Sequence, residues 1–408
     1  MDDKRVYDIY SQHISASYPN FLQRLGIKHT AEYAEGALIK DSAGNTYIDC
    51  TAGYGLFNLG HNHPKVTQAL IEQIQSKRPL TKPFITSVQA KFAERLASVA
   101  PGNLECTFLC NSGSEAVDSA LKLARLTTGR KKIIAAHNSF HGYTYGALST
   151  TGIRKFRHPF EPMLPEVEFV EYGSLDAARQ SIDKQTAAII LEPIQHEAGI
   201  KTPPIDYFIG IREICNKHGV LLILDEVKTG FGKTGHLFAC DTLGVIPDIL
   251  ILGKSLGGGM IPSGAIMASQ KLWRRFGLSF PMSASSFSGN TLACSAGLAT
   301  LEVFEETNLL SECLEKGSML KTEALKLLTE NPDKLLKISG CGLLFSLQLA
   351  SSSLTHELSK QLVAQGVLAM PAFGNSSELM IEPPLVISKP ELDKVIYALE
   401  IALSKTNG

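Results

Sequence analysis

Residues 221–227 read Leu221-Leu-Ile-Leu-Asp225-Glu226-Val227, four large aliphatic residues that run straight into two carboxylates. An unbroken apolar run of this length, with no alternation, suits a strand buried on both faces, as parallel strands are. Carboxylates at the carboxyl end of such a strand lie where open α/β sheets place their ligands. A buried Asp225 requires a cation or hydrogen-bond donors beside it; helix capping or a surface salt bridge is the plainer account of the pair. Outward from this point, Cys106–Cys110, Lys132–Ala136, Ala187–Leu191, Val220–Leu224, Ile249–Leu252 and Gly264–Ala268 read as further strands. Helix-period stretches such as Ala116–Leu126 and Asp206–His218 lie between them. The expected fold is α/β, with a large mixed, mostly parallel sheet covered by helices on both faces.

The two ends of the chain read differently. Residues 37–40 and 46–49 flank Asp41-Ser-Ala-Gly-Asn45, a hairpin signal. Beyond about residue 305 charged helical segments surround a short strand near Leu343–Leu347. The expected organisation is a large domain over 61–305 and a small α+β domain assembled from 1–60 and 306–408.

Composition narrows the class of function. The 408 residues carry 39 Lys+Arg against 40 Asp+Glu, a net charge of −1, so no basic field exists to drive nucleic-acid binding. The longest purely aliphatic stretch, Val220–Leu224, is far short of the ~18 residues that suggest a membrane span. Of the eight cysteines only Cys106 and Cys110 are close, and none has metal-ligand spacing. The start, MDDKRVYDIY, has no apolar signal core. These features suggest a cytoplasmic protein with reduced thiols, no metal, and neither nucleic acid nor membrane as partner.

Three more clusters stand at expected strand ends. Asn111-Ser-Gly-Ser-Glu115 follows a strand and opens a helix. Its small residues let backbone N–H groups approach a ligand, and the helix start suits a phosphate. The alternative is a plain N-cap with Ser114 capping. Gly253-Lys254-Ser-Leu-Gly-Gly-Gly259 would bring Lys254 close to Asp225 if both strands end on one edge. Its GKS is not a P-loop, because the glycine required five residues earlier is Asp248; Gly232-Lys-Thr234 fails likewise, with Val227. Gly230-Phe-Gly-Lys-Thr-Gly235 matches GxGxxG, but Asp225–Thr229 intervenes after the strand and no amphipathic helix follows. A lysine beside a desolvated pocket suits Schiff-base chemistry instead. In Phe140-His141-Gly142 the phenylalanine can stack on a flat ring, the alternative being a core residue beside a satisfied histidine. Phosphate cradle, carboxylate, lysine and aromatic together are what holding a phosphorylated pyridine aldehyde requires.

The runs AGYGLFNLGHNHP (52–64), NSGSEAVDSALKLAR, FHGYTYGALSTTG, LEPIQHEAG, LLILDEVKTGFGKTG, LGKSLGGGMIPSGAI, SSFSGNTLACSAGLA and IEPPLVIS (381–388) occur in this order along nearly the whole chain. In this the sequence resembles the class III aminotransferases, pyridoxal 5'-phosphate enzymes of fold type I, with phrasing nearest the putrescine, acetylornithine and other ω-amine enzymes. The resemblance implies that Lys254 forms the covalent link to the cofactor and shuttles a proton. Asp225 would pair with the pyridine nitrogen, Ser112, Gly113 and Ser114 would hold the phosphate, and Phe140 and Val227 would cover the two ring faces. His141, Glu192 and Lys228 complete the implied cofactor set. Ser285 or Ser286 would reach the phosphate of a neighbouring subunit, implying a homodimer with shared active sites. Tyr54, Phe57, Glu197 and Met380 are implied on the substrate side. The implied substrates are small amines, or ω-amino donors, and oxo acids or aldehydes, turned over by ping-pong transfer.

Three positions depart from the pattern. Met380 stands where relatives commonly carry a carboxylate-gripping arginine, which would leave Glu197 without its usual partner. Lys228 replaces a glutamine that contacts the phenolic oxygen; an ammonium there would stabilise a phenolate, unless the side chain turns outward. His196 replaces a glycine, as a structural histidine or as one that narrows the pocket. Racemases, epimerases, aminomutases and decarboxylases use the same lysine and aspartate and need no dicarboxylate, so they stand as the alternative. A catalytically dead scaffold would not need all three of Lys254, Asp225 and the phosphate loop.

Overall fold

The computed structural model describes residues 1–81, 84–277 and 285–406. The chain falls into two units: a central one, Pro64–Asn308, and a terminal one made from Met1–His63 together with Leu309–Gly408.

In the central unit the apolar runs are strands of one seven-stranded sheet. They are β1 (Cys106–Cys110), β2 (Lys132–Ala136), β3 (Val167–Val170), β4 (Thr186–Leu191), β5 (Leu221–Asp225), β6 (Ile249–Leu252) and β7 (Gly264–Ala268). The spatial order is β1-β7-β6-β5-β4-β2-β3. Neighbours from β3 to β6 pair in parallel, whereas β7 is antiparallel to both β6 and β1. Two reversals cancel, so β1 runs with the rest and the carboxyl ends of β1, β2, β4, β5 and β6 share one edge. Every residue of β4, β6 and β7 is buried, which is why these strands are aliphatic without alternation.

Helix α1 (Gly113–Thr128) covers part of this sheet. It buries Ala116, Val117, Ala120, Leu121, Leu123 and Ala124, a stripe at i, i+4 spacing, against a core that includes Ile133, Ile190, Ile223 and Ile251. Each large aliphatic side chain removed from water contributes roughly 1.5–3 kcal/mol. Gly129, left-handed at φ +70°, ends the helix.

Strand β3 is not visible in the sequence pattern. It lies at the sheet edge with Glu168 exposed, and Lys132 Nζ reaches Glu168 at 2.6 Å and Asp183 at 3.0 Å. Charge on an edge strand hides it from a search for apolar runs, and also discourages pairing with another chain.

The terminal unit has two four-stranded sheets. In one, Ala31–Glu35, Leu38–Asp41 and Thr46–Asp49 form antiparallel pairs around the hairpin, and Val367–Leu368 adds in parallel. The other joins Leu335–Cys341, Leu344–Leu349, Glu378–Ile381 and Met370–Pro371. Directly after the first sheet, Ala52, Gly53, Tyr54 and Gly55 all have positive φ, 43°, 56°, 59° and 92°. Non-glycine residues in this region cost about 1–2 kcal/mol each. Buried Asp49 holds the turn: its Oδ1 accepts from Thr51 N, Thr51 Oγ1 and Ala52 N, and its Oδ2 faces His61 Nε2 at 2.9 Å.

Among the described residues no helix is long and apolar enough to cross a membrane, no group of three or more His, Cys, Asp or Glu is placed to hold a metal, and the cysteines are free thiols.

Candidate active site

The shared strand edge of the central unit carries a cavity of about 190 Å³. Its floor is built by the close approach of three strand ends. A Cβ added to Gly113 would lie 2.9 Å from both Cγ atoms of Val227, and one added to Gly253 would lie 3.2 Å from Gly113 Cα. At the start of β7, a Cβ on Gly264 would meet Ser112 O at 2.2 Å. Glycine is required at these positions for the turns after β1, β5 and β6 to touch.

Ser112 is the N-cap of α1, its Oγ accepting from Glu115 N at 3.2 Å. The alternative reading of this turn, a plain cap by Ser114, is corrected in its residue: the cap is Ser112. Ser114 Oγ instead accepts from Tyr143 N at 3.2 Å, fastening the loop after β2 to the start of α1. Asn111 bonds Glu115 Oε2 through its N (2.7 Å) and Nδ2 (3.0 Å), and its Nδ2 also donates to Ser285 Oγ at 2.9 Å. Ser285 thus meets the α1 turn within its own chain. Ser286 is exposed, and its carbonyl accepts from Thr81 Oγ1.

The two carboxylates after β5 separate. Glu226 is fully buried and accepts from Ala239 N (2.8 Å), Cys240 N (2.7 Å) and Thr229 Oγ1 (2.8 Å). Burial raises its pKa and those three donors pull it back; its part is structural. Asp225 lines the cavity, with Oδ2 at 2.7 Å from His141 Nδ1 and Oδ1 accepting from Val227 N at 3.0 Å. An ionised carboxylate only accepts, so Nδ1 is the protonated histidine nitrogen. His141 stands behind the aspartate, and its buried Nε2 has no hydrogen-bond partner.

Glu192, at the end of β4, accepts from Phe140 N at 2.9 Å. Burial holds its carboxyl well above the usual range, and neighbouring Asp225 pushes the same way. Beside it His196 Nδ1 lies 3.2 Å from Glu197 Oε1, both side chains largely buried. Lys228 is only 6% exposed and lines the cavity, so it does not turn outward. Lys254 lies directly beyond β6 at φ +47°, in a short 3₁₀ turn, Lys254–Gly257. The parallel pairing of Asp225 with Ile251 brings the two strand ends together.

The cavity lining thus joins Ser112, Gly113, Ser114, Phe140, His141, Glu192, Glu197, Asp225, Val227, Lys228 and Lys254. Tyr54, Phe57 and Met380 lie in the terminal unit. There Tyr54 packs its ring on Phe373 and Phe57 on His61, while Met380 is buried in Glu378–Ile381 opposite Ser346 and Met370. Tyr143 also lines the cavity and touches both Phe140 and Phe156. Sequence reasoning passed over it; its place three residues after Phe140, on the same loop, was the available signal. The segment Gly230–Gly235 forms turns followed by the 3₁₀ helix Ala239–Thr242, with no dinucleotide-type helix.

These residues fit pyridoxal phosphate. A 16-residue helix offers its first N–H groups and two serines to a phosphate. An aromatic and a branched aliphatic side chain border the space for a ring, and a buried carboxylate and a lysine supply the partners of its nitrogen and aldehyde.

Residues 24–403 match the family model of Aminotransferase class-III. Among solved structures, the ornithine aminotransferase of Toxoplasma gondii is 28% identical over 99% of this chain and 95% of its own, with TM-score 0.91. An (S)-enantioselective omega-transaminase from Thermomicrobium roseum is 26% identical over 100% of both chains, with TM-score 0.92. An amine transaminase from an uncultivated Pseudomonas species, solved in its PLP-bound internal aldimine form, is 27% identical over 93% of this chain and 95% of its own, with TM-score 0.86.

Proposed function

Because the chain belongs to the class III aminotransferases, and is a pyridoxal-phosphate-dependent enzyme of fold type I, we propose that Lys254 and Asp225 carry its chemistry and that its amino donor is an amine or ω-amino compound. The observation that supports this most is the convergence of Lys254, Asp225 and the amino end of α1 on one cavity.

When bound, pyridoxal phosphate supplies an aldehyde that condenses with amines and a ring that draws electrons from the adjacent carbon. The chain's residues supply the rest. Backbone N–H groups at 113 and 114, with the Ser112 and Ser114 hydroxyls, bind the phosphate. The Asp225 carboxylate would accept a hydrogen bond from the ring N–H, which keeps that nitrogen protonated and cationic. His141, donating from Nδ1, fixes the carboxylate's orientation. Phe140 and Val227 hold the ring between them. Lys254 Nζ would hold the cofactor through its aldehyde and, once displaced by a donor amine, would carry a proton between the substrate carbon and the cofactor carbon as base and then acid, the role that ping-pong amino transfer requires. Borohydride reduction and peptide mapping test the assignment: the modified residue should be Lys254, and a tag elsewhere would refute it.

An apolar Met380 where relatives carry arginine supports a donor without a carboxylate at that point, and the omega- and amine-transaminase likenesses support the same reading. On the substrate side we place Tyr54, Phe57 and Glu197 as well. The assembly that accounts for Ser285 and Ser286 is a homodimer whose subunits share active sites, and the cytoplasm is the compartment that agrees with free thiols.

A further inference from the structure

The terminal unit holds a cavity of its own, about 420 Å³ in volume, within the roughly 300–1,000 Å³ of small-molecule sites. It is bordered by the first helix, Asp3–His13, by the next, Ser17–Arg24, and by the hairpin sheet. Tyr7, Tyr10, Tyr18 and Tyr47 line it, with aliphatic surface from Val6, Leu22 and Ile39. We propose that this cavity binds a protonated alkylamine, an organic cation held by the tyrosine rings beside an ionised Asp41, as a second amine site whose lining shares no residue with that of the cavity around Lys254.

Three observations select a cation. The first is the rings themselves, whose negative faces attract ammonium ions. The centroids of Tyr10 and Tyr18 are 6.1 Å apart, so a cation set between them lies within the ~6 Å reach of both. The second is that two of the phenol protons are already committed. Tyr7 Oη donates to Ile27 O at 3.2 Å and Tyr47 Oη to Asp41 Oδ2 at 3.1 Å. A phenol has a single proton to give, so these oxygens have only acceptor capacity left, and a ligand group that meets them must donate. The third is the sign of the charge. Asp41 Oδ1 accepts from Ala43 N at 3.0 Å and Asn45 N at 2.8 Å, and its Oδ2 from Asn45 Nδ2 at 2.9 Å. Burial pushes this carboxyl up, but those donors and Tyr47 outweigh burial and hold it below its ordinary value. Among the described lining residues none is lysine or arginine, and His29 Nδ1 faces Asp3 Oδ2 at 2.8 Å. An anion would therefore enter without a partner. Asp3 also accepts from Thr30 N at 3.0 Å and Thr30 Oγ1 at 2.6 Å, which fastens the helix that carries Tyr7 and Tyr10 to the rim of the cavity.

The probe is dimethylhexylammonium. As a tertiary ammonium it keeps an N–H donor but cannot condense with an aldehyde, so its binding does not depend on the chemistry of Lys254. Calorimetric titration of the holoenzyme should show saturable binding at least about tenfold tighter than that of hexanol or hexanoate. The double variant Tyr10→Leu/Tyr18→Leu keeps apolar contact and removes two rings, and should weaken the binding by about tenfold or more. No saturable binding, equal binding of the neutral and anionic chains, or binding unchanged in the double variant overturns the inference. Should that variant fail to fold, a diazirine-bearing tertiary alkylammonium is photocrosslinked to wild type and the label mapped by peptide mass. Label within residues 6–47 or at 368 supports the site, and label confined elsewhere refutes it. Either result leaves the assignment of Lys254 untouched, because its borohydride tag is read without the probe.

Discussion

Asp225 ends β5 and Lys254 follows the adjacent parallel strand β6, and their neighbours decide what each can do. Replacing Lys254 by alanine removes the proton carrier and should lower kcat by at least about 10²–10⁴-fold, with fold retained by circular dichroism; near-normal turnover would sink the assignment. Met380 offers a sharper test of substrate choice. A bidentate guanidinium–carboxylate pair contributes about 1.5–3 kcal/mol, or roughly 10–150-fold in binding. Met380→Arg should therefore raise kcat/KM for glutamate or 2-oxoglutarate toward that range; unchanged or lower values count against a donor lacking a carboxylate. Glu192 is a pH device of known sign. Its folded pKa lies well above 4.5, so above pH 4.5 the unfolded chain has released a proton that the folded one retains. Stability then falls as pH rises from 4.5 to the folded pKa, by up to about 1.4 kcal/mol per unit. Glu192→Gln should flatten that slope in Tm measured between about pH 5 and 8, and an unchanged slope would contradict it.

At the scale of elements, the sheet was legible because β4, β5, β6 and β7 are buried on both faces and therefore written in aliphatic residues. The runs at 106–110 and 132–136 were equally plain. What stayed hidden was decided by tertiary contacts. β3 is an edge strand carrying Glu168, and Glu378–Ile381 opens on a glutamate whose burial only the completed sheet reveals. In the site, residue types and strand ends sufficed to find Asp225, Lys254, Phe140 and the 111–115 turn. They could not show that Glu226 turns to Ala239 and Cys240 or that His141 backs Asp225, because these depend on contacts between separate segments; that Ser112 rather than Ser114 caps α1 is a local matter, since in Ser-Gly-Ser either serine can stand at the helix start. The α1 turn yields its own prediction. In Gly113→Ala the new methyl presses on Val227 at 2.9 Å, and overpacking of this kind costs about 1–3 kcal/mol. The variant should show a lower Tm and weaker cofactor retention by equilibrium dialysis; full retention would mean the turn is not the phosphate cradle.

At the scale of the whole molecule, Ser285 and Ser286 pose the question of assembly. If they serve the neighbouring subunit's site, a mixed dimer of Lys254→Ala with the double variant Ser285→Ala/Ser286→Ala contains one intact centre. Subunit exchange between these two inactive proteins should restore activity approaching half that of wild type per mixed dimer. If mixed dimers form by native mass spectrometry but stay inactive, the serines act within their own chain, as the Asn111–Ser285 bond would then suggest.

The first sheet of the terminal unit is completed where Leu368 pairs with Asp49 and Val367 with Ile48. On the ribosome, the first sheet of this unit therefore emerges with an unfilled edge and waits while the central unit is made. At about 5–20 residues per second that delay is on the order of tens of seconds. Throughout it the hairpin strand ending at Asp49 is an open template, so nascent chains are most exposed to mispairing there, and a chaperone acting on this enzyme has its task set at the amino-terminal edge.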